Sequence, residues 1–194
     1  TQAPLGFALL AVVLLLLTAL LGGCMQLDTN LRLPAPGRLE ITQSSISNTG
    51  RPLPWQQQLA EALRDTPLRI SSEQGRQTLR SAVLPAPEAL ALLRTSLSTG
   101  ARLAGQTLPE PQLSLRERNW LLGVRQRLEF DLDLRQLEPL PGLQLTLQLE
   151  PMRPRAVRRA EPLPALAVPR RRSGEGGTPP RLRWTLQPGA VNHL

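Results

Sequence analysis

Residues 3–23 read APLGFALLAVVLLLLTALLGG, and the chain carries no charge before Asp28. A run of this length matches the roughly 20 residues that span a hydrocarbon core. A helix buried in a soluble core carries a polar stripe, because only one side of it is covered, whereas this segment is apolar all round. It therefore enters or crosses a membrane, and whatever follows is tethered to a bilayer.

Two fates fit such a segment, a retained span or a cleaved signal whose apolar stretch ends in small residues. The run closes on Leu21-Gly22-Gly23-Cys24, which resembles the lipobox of bacterial lipoproteins, and Cys24 is the lone Cys of the chain. The resemblance implies a thiol that takes a diacylglyceryl group, with small residues before it where the peptidase needs extended backbone. Cys24 is then the lipid anchor, since each buried CH₂ adds about 0.8 kcal/mol of membrane affinity. With Cys24 acylated the domain sits on the exported side, in a periplasm or thylakoid lumen. Without acylation it is a single-pass membrane protein. A lone Cys also excludes an intrachain disulfide.

All of the basic residues are Arg, because Lys is absent, and the net charge is +8. Lacking Lys, the chain has no P-loop lysine, no Schiff-base amine and no Ser-Lys dyad. One His and one Cys leave no HExxH, no CxxC and no His/Cys zinc cluster. No cofactor and no metal site is expected.

Past the anchor, period-two alternation of Leu27, Thr29, Leu31 and Leu33 with polar residues, then Pro34-Ala35-Pro36-Gly37, predicts a hairpin over residues 27–46. Trp55, Leu59 and Leu63, four apart, predict a short helix over residues 55–64. Strands are expected over residues 68–71 and 76–83 around Gly75, and a second helix from Pro87 to Gly100. Val124, Leu128, Phe130, Leu132 and Leu134 share one face of a long strand, and Arg125, Arg127, Glu129, Asp131, Asp133 and Arg135 share the other. After a turn at Pro139 to Gly142, Leu143, Leu145, Leu147 and Leu149 predict its hairpin partner. The sum is an α+β domain, an antiparallel sheet with two short helices on one face, preceded by the membrane segment. Its divisions are residues 1–23 as signal or span, 24–150 as the domain, 151–181 as an Arg- and Pro-rich disordered insertion, and 182–194 as terminal strands. From residue 151 onward nine Arg face only Glu161 and Glu175, so the positive charge is concentrated there.

Three stretches together resemble a family: Gly23-Cys24-Met25-Gln26-Leu27-Asp28, then Asn119-Trp120-Leu121-Leu122-Gly123-Val124-Arg125-Gln126-Arg127 running into Asp131-Leu132-Asp133-Leu134-Arg135, and Trp184 through His193. They are similar in order and spacing to the cyanobacterial and plastid membrane proteins grouped under domain of unknown function 3153. More distantly, the Gly-Cys-x-x-x-Asp opening is similar to the LppM-like lipoproteins, for which lipid binding has been proposed. The resemblance implies an α+β domain on a photosynthetic-type membrane and assigns no reaction. It also implies a second apolar segment beyond the Asn192-His193 pair.

Among chemical constellations, Glu129, Asp131 and Asp133 line one strand face, where carboxylates share a cation or act as acid and base in a glycan hydrolase. The Arg residues of that face favour ordinary cross-strand ion pairs instead. His193 has no partner predictable from sequence, and Gly174-Glu175-Gly176-Gly177 is linker. The insertion is the one stretch with an evident capacity to bind, through Arg153, Arg155, Arg158, Arg159, Arg170, Arg171 and Arg172. An anionic lipid surface suits it, at roughly 1 kcal/mol per Arg, or an acidic membrane-protein partner; an exported domain does not meet nucleic acid. The expected function is a membrane-anchored, non-enzymatic, lipoprotein-like domain that binds lipid or assists assembly of a membrane complex. The alternatives are a structural subunit of a photosynthetic or translocation complex and the carboxylate hydrolase.

Overall fold

Leu alternating with polar residues builds the first hairpin, β1 (Met25–Ala35) and β2 (Arg38–Ser47), closed by a turn in which Gly37 takes φ +66. The computed structural model describes residues 25–47, 50–103, 105–106, 108–120, 123–137, 142–153, 157–162, 164–167 and 181–194. The apolar segment 1–23 and Cys24 lie outside the described residues. Among the described residues no helix is long and apolar enough to cross a membrane.

The chain continues through α1 (Pro54–Ala62), the hairpin β3 (Leu68–Glu73) and β4 (Arg76–Ser81), a short β5 (Leu84–Pro85) and α2 (Ala86–Leu103). Gly75 closes the β3–β4 turn at φ +77, where a Cβ would lie 2.8 Å from the backbone carbon of Gly50. Then come β6 (Gln112–Trp120), β7 (Gly123–Asp133), β8 (Gln144–Glu150), β9 (Ala165–Ala167), β10 (Arg181–Leu186) and β11 (Val191–His193). The elements are those of an α+β domain, with both helices on the same face of the larger sheet.

Two features depart from the expected single antiparallel sheet. The strands form two sheets, one ordered β3-β4-β2-β1-β8-β10-β9 with β5 on β2, the other β11-β7-β6. And β8 does not pair with β7: it runs parallel to β1, with Leu31 opposite Leu149, and antiparallel to β10. The reason is that the Leu faces of β7 and β8 meet across the core rather than side by side. Alternation marks each strand as half buried but does not say which edge it joins. Strand β6, which pairs with β7 along its whole length, was not expected at all. Within residues 151–181, Ala165–Ala167 pair with β10, and the Trp184 indole N–H donates to the Pro162 carbonyl at 2.7 Å.

The main core joins Leu31, Leu33, Leu39 and Ile41 of the first hairpin to Ala89, Leu90 and Leu93 of α2, and to Phe130, Leu132, Leu134, Leu145 and Leu147. A second cluster packs Leu59 and Leu63 of α1 and its C-cap on Leu79. A polar seam runs where the two clusters meet. There the Gln56 amide donates to Ser45 Oγ at 2.8 Å, the Gln77 amide donates to the Gln56 carbonyl at 2.6 Å, and the Ser96 hydroxyl donates to Gln43 Oε1.

Candidate anion-binding face

In a strand successive side chains point to opposite faces, so a larger sheet that buries its Leu residues inward turns the intervening polar residues outward. At one level of that outer face five strands each contribute a charge, and the signs alternate: Arg80 on β4, Glu40 on β2, Arg32 on β1, Glu150 on β8 and Arg181 on β10. Pairing register aligns them, with Arg32 directly opposite both Glu40 and Glu150. Arg80 donates to Glu40 Oε1 through Nε at 2.6 Å and approaches it through Nη2 at 2.5 Å. Arg32 Nη1 donates to Glu40 Oε2 at 3.0 Å, and its Nε lies 3.5 Å from Glu150 Oε1. Arg181 Nε donates to Glu150 Oε2 at 3.1 Å.

The carboxylates lie deep and the guanidinium heads lie at the surface. The Glu40 side chain is 6% exposed, while those of Arg32 and Arg80 are 47% and 60% exposed. Burial alone would raise the Glu40 carboxyl, but hydrogen bonds from Arg80 and Arg32, with their charges, outweigh it and hold it below its ordinary value. A folded value below the unfolded one makes this contribution to stability complete above the ordinary carboxylate range and lost as pH falls through the lowered value. Urea midpoints measured from neutral pH down to about pH 3 should therefore fall less in Glu40→Gln than in the native chain. Equal losses would show that Glu40 does not carry this linkage.

Above this row lies an open groove of about 400 Å³, lined by Asp28, Asn30, Arg32, Arg76, Arg80 and Arg181 among others. Asp28 is satisfied, accepting from the Gln26 amide at 2.9 Å and from the Thr146 hydroxyl. Arg76 is exposed and has no ion-pair partner among the described residues. The buried Asn30 Oδ1 has no hydrogen-bond partner among them either. Guanidinium groups on the rim make a receptor for an oxygen-rich anion, while the Asn30 carbonyl oxygen is an acceptor that calls for a donor such as a hydroxyl. Both carboxylates of the row are engaged by Arg, and Glu40 is held ionised, so it offers no proton to give.

A second, apolar cavity lies between the sheets beside α2, lined by Leu27, Leu97, Phe130, Leu132, Leu145 and Leu186 among others. Its volume is about 70 Å³, roughly that of two molecules of liquid water, too small to enclose an acyl chain.

The residues singled out from the sequence lie elsewhere. Arg153 and Arg158 are exposed, and Arg159 pairs with Glu161 at 2.8 Å. Arg155, Arg170, Arg171 and Arg172 lie outside the described residues, as does the Gly174–Gly177 linker. Glu129 pairs with Arg127 at 2.8 Å and Asp133 with Arg135 at 2.7 Å, along the strand rather than across it. Hydrogen bonds from the Arg135 side chain and backbone push the Asp133 carboxyl down to about 2, which leaves it ionised and unable to act as an acid. His193 Nδ1 meets Asp131 Oδ1 at 2.6 Å. Among the described residues no group of acids, His or Cys could hold a metal ion.

The family model described as a protein of unknown function, DUF3153, matches residues 29–194. No curated protein matches the chain. Among solved structures, the folded domain of LppM from Mycobacterium tuberculosis, determined by NMR, is similar to 89% of this chain over 87% of its own, at 18% identity and a TM-score of 0.46.

Proposed function

The chain belongs to the DUF3153 family of proteins of unknown function, and on that premise we propose that it is a membrane-anchored, non-enzymatic domain that binds a phosphate- or carboxylate-bearing ligand in the groove of its larger sheet. The observation that carries this reading is the alternating row of charges with the exposed Arg76 above it. Anchoring rests on the apolar run of residues 3–23 and on Cys24 as its acylated end. Lipid enters this reading through a headgroup, because the groove is polar and the apolar cavity holds no chain. The Glu and Asp residues with recorded Arg partners support binding rather than acid–base chemistry.

Full-length protein in mild detergent, titrated calorimetrically with inorganic phosphate and with short-chain phosphatidylglycerol, tests the groove. Saturable binding is expected, weakened about tenfold or more in Arg76→Ala, the cost of one charge-assisted hydrogen bond. Response to phosphatidylglycerol alone identifies a lipid headgroup, and response to phosphate identifies a free anion. Absence of saturable binding to either, or an unchanged affinity in Arg76→Ala, overturns the proposal.

A further inference from the structure

The groove of the larger sheet holds two kinds of polar group that a bare anion cannot serve together. Its rim is made of donors, the guanidinium groups of Arg32, Arg76, Arg80 and Arg181. Its lining also holds Asn30 Oδ1, an acceptor that is buried and has no hydrogen-bond partner among the described residues. A phosphate dianion or a carboxylate only accepts, so it satisfies the rim and leaves Asn30 as it was. A buried acceptor without a donor is costly, and the group that relieves it must present an O–H or an N–H. Asp28, two residues away on the same face of β1, has both carboxylate oxygens engaged by the Gln26 amide and the Thr146 hydroxyl. Its negative charge favours a neutral hydroxyl over an anion at this part of the groove.

Strand register sets the distance between the two kinds of group. Asn30 of β1 lies opposite Thr42 of β2, and Thr42 lies opposite Arg80 of β4. Arg76 is four residues along β4 from Arg80, so its Cα is roughly 16 Å from that of Asn30, two strands across and four residues along. The Arg76 side chain covers part of that span, and the remainder is longer than a bare phosphate. A line between the two passes over Ser44 of β2, which lies opposite Asp28 on one side and Thr78 on the other. Ser44 and Thr42 both line the groove, and being short they leave room between the long residues of the rim. No aromatic side chain lines it among the described residues, which removes the stacking platform that a nucleobase uses.

We propose that the ligand of this groove is a phosphorylated polyol, with its phosphate on Arg76 and a hydroxyl donated to Asn30 Oδ1. The inference rests on the anion-binding reading of the groove and specifies the part of the ligand that is not an anion. A free sugar phosphate and the polyhydroxylated phosphate headgroup of a lipid share this chemistry.

Two matched pairs of ligands test it, titrated calorimetrically into full-length protein in mild detergent at about pH 8, where phosphomonoesters are dianions without a P–OH. Glucose-6-phosphate and methyl phosphate carry the same phosphate and differ in their hydroxyls, and short-chain phosphatidylglycerol and phosphatidylmethanol differ in the same way. In at least one pair the hydroxyl-bearing member is expected to bind about fivefold more tightly, the effect of one hydrogen bond. Asn30→Ala should lower that ratio about fivefold and leave the affinity of the hydroxyl-free member unchanged. Asn30→Asp keeps the acceptor, so it should keep the ratio while its charge weakens both members, which separates a lost hydrogen bond from a damaged fold. Preference within the sugar pair identifies a free polyol phosphate, and preference within the lipid pair alone identifies a headgroup. Equal affinities within both pairs, or a preference that survives in Asn30→Ala, overturns the inference and leaves the anion-binding groove standing, with Asn30 served by water. If no member of either pair binds, the anion-binding reading falls and this inference falls with it.

Discussion

Leu31→Ala lowers the stability of the domain by about 3–5 kcal/mol, the largest effect expected of a single substitution here. Leu31 is 0% exposed and lies where three parts of the fold meet. On one side it pairs with Ile41 of β2, on the other with Leu149 of β8, and the core above it includes Leu93 of α2 and Phe130 of β7. Truncation loses the transfer free energy of the side chain and leaves a void that two sheets and a helix cannot all close upon. For a chain of this size about 2–4 °C of melting temperature accompanies each kcal/mol, so thermal unfolding of the full-length protein should move down by on the order of 10 °C. A shift within about 2 °C would mean that the sheets collapse freely onto the site and that the core is less constrained than its burial indicates.

Gln56→Leu is nearly as damaging, although it puts an apolar side chain of similar size into the interior. Gln56 is fully buried and every polar atom of its side chain is engaged: Oε1 accepts the Leu53 N–H at 2.7 Å, closing the start of α1, and the amide nitrogen reaches Ser45 Oγ. Leucine abandons these partners in a site that water does not enter, and each stranded group costs about 1–3 kcal/mol. A loss of about 2–4 kcal/mol is expected as a lower urea midpoint with an unchanged slope. An unaltered midpoint would show that Ser45 and Leu53 find other partners.

How far sequence led toward this fold depended on whether a strand's partner is its neighbour in the chain. The hairpin of residues 27–46, both helices and the β3–β4 turn at Gly75 could be read directly, since local periodicity and turn residues specify them. Strand β6 could not. Leu113 and Leu115 are followed by Arg116-Glu117-Arg118-Asn119, a polar run that becomes a strand only because β7 offers it an edge. The parallel pairing of β1 with β8 was equally hidden, because nothing in Leu143 to Leu149 distinguishes one apolar strand face from another. The candidate site was invisible for the same reason. Arg32, Glu40, Arg80, Glu150 and Arg181 are each an unremarkable polar position, and they form a row only in three-dimensional register. The signal that existed was charge at the outward phase of five strands with alternating sign, usable only once strand order is known. The dense Arg residues of 151–181 stand out instead, because local charge density is visible in the linear sequence.

The parallel seam between β1 and β8 has a consequence for how the chain acquires its shape. During synthesis β1 finds β2 at once, but its other edge must wait for residues 144–150, and β7 waits for β11 at residues 191–193. Sheets closed by such distant segments have high contact order, and high contact order slows folding while unpaired edges remain open to other chains. The interval before β8 arrives is therefore when this domain is most prone to aggregate. Shielding of the β1 edge by a chaperone or by the membrane surface would act in that window.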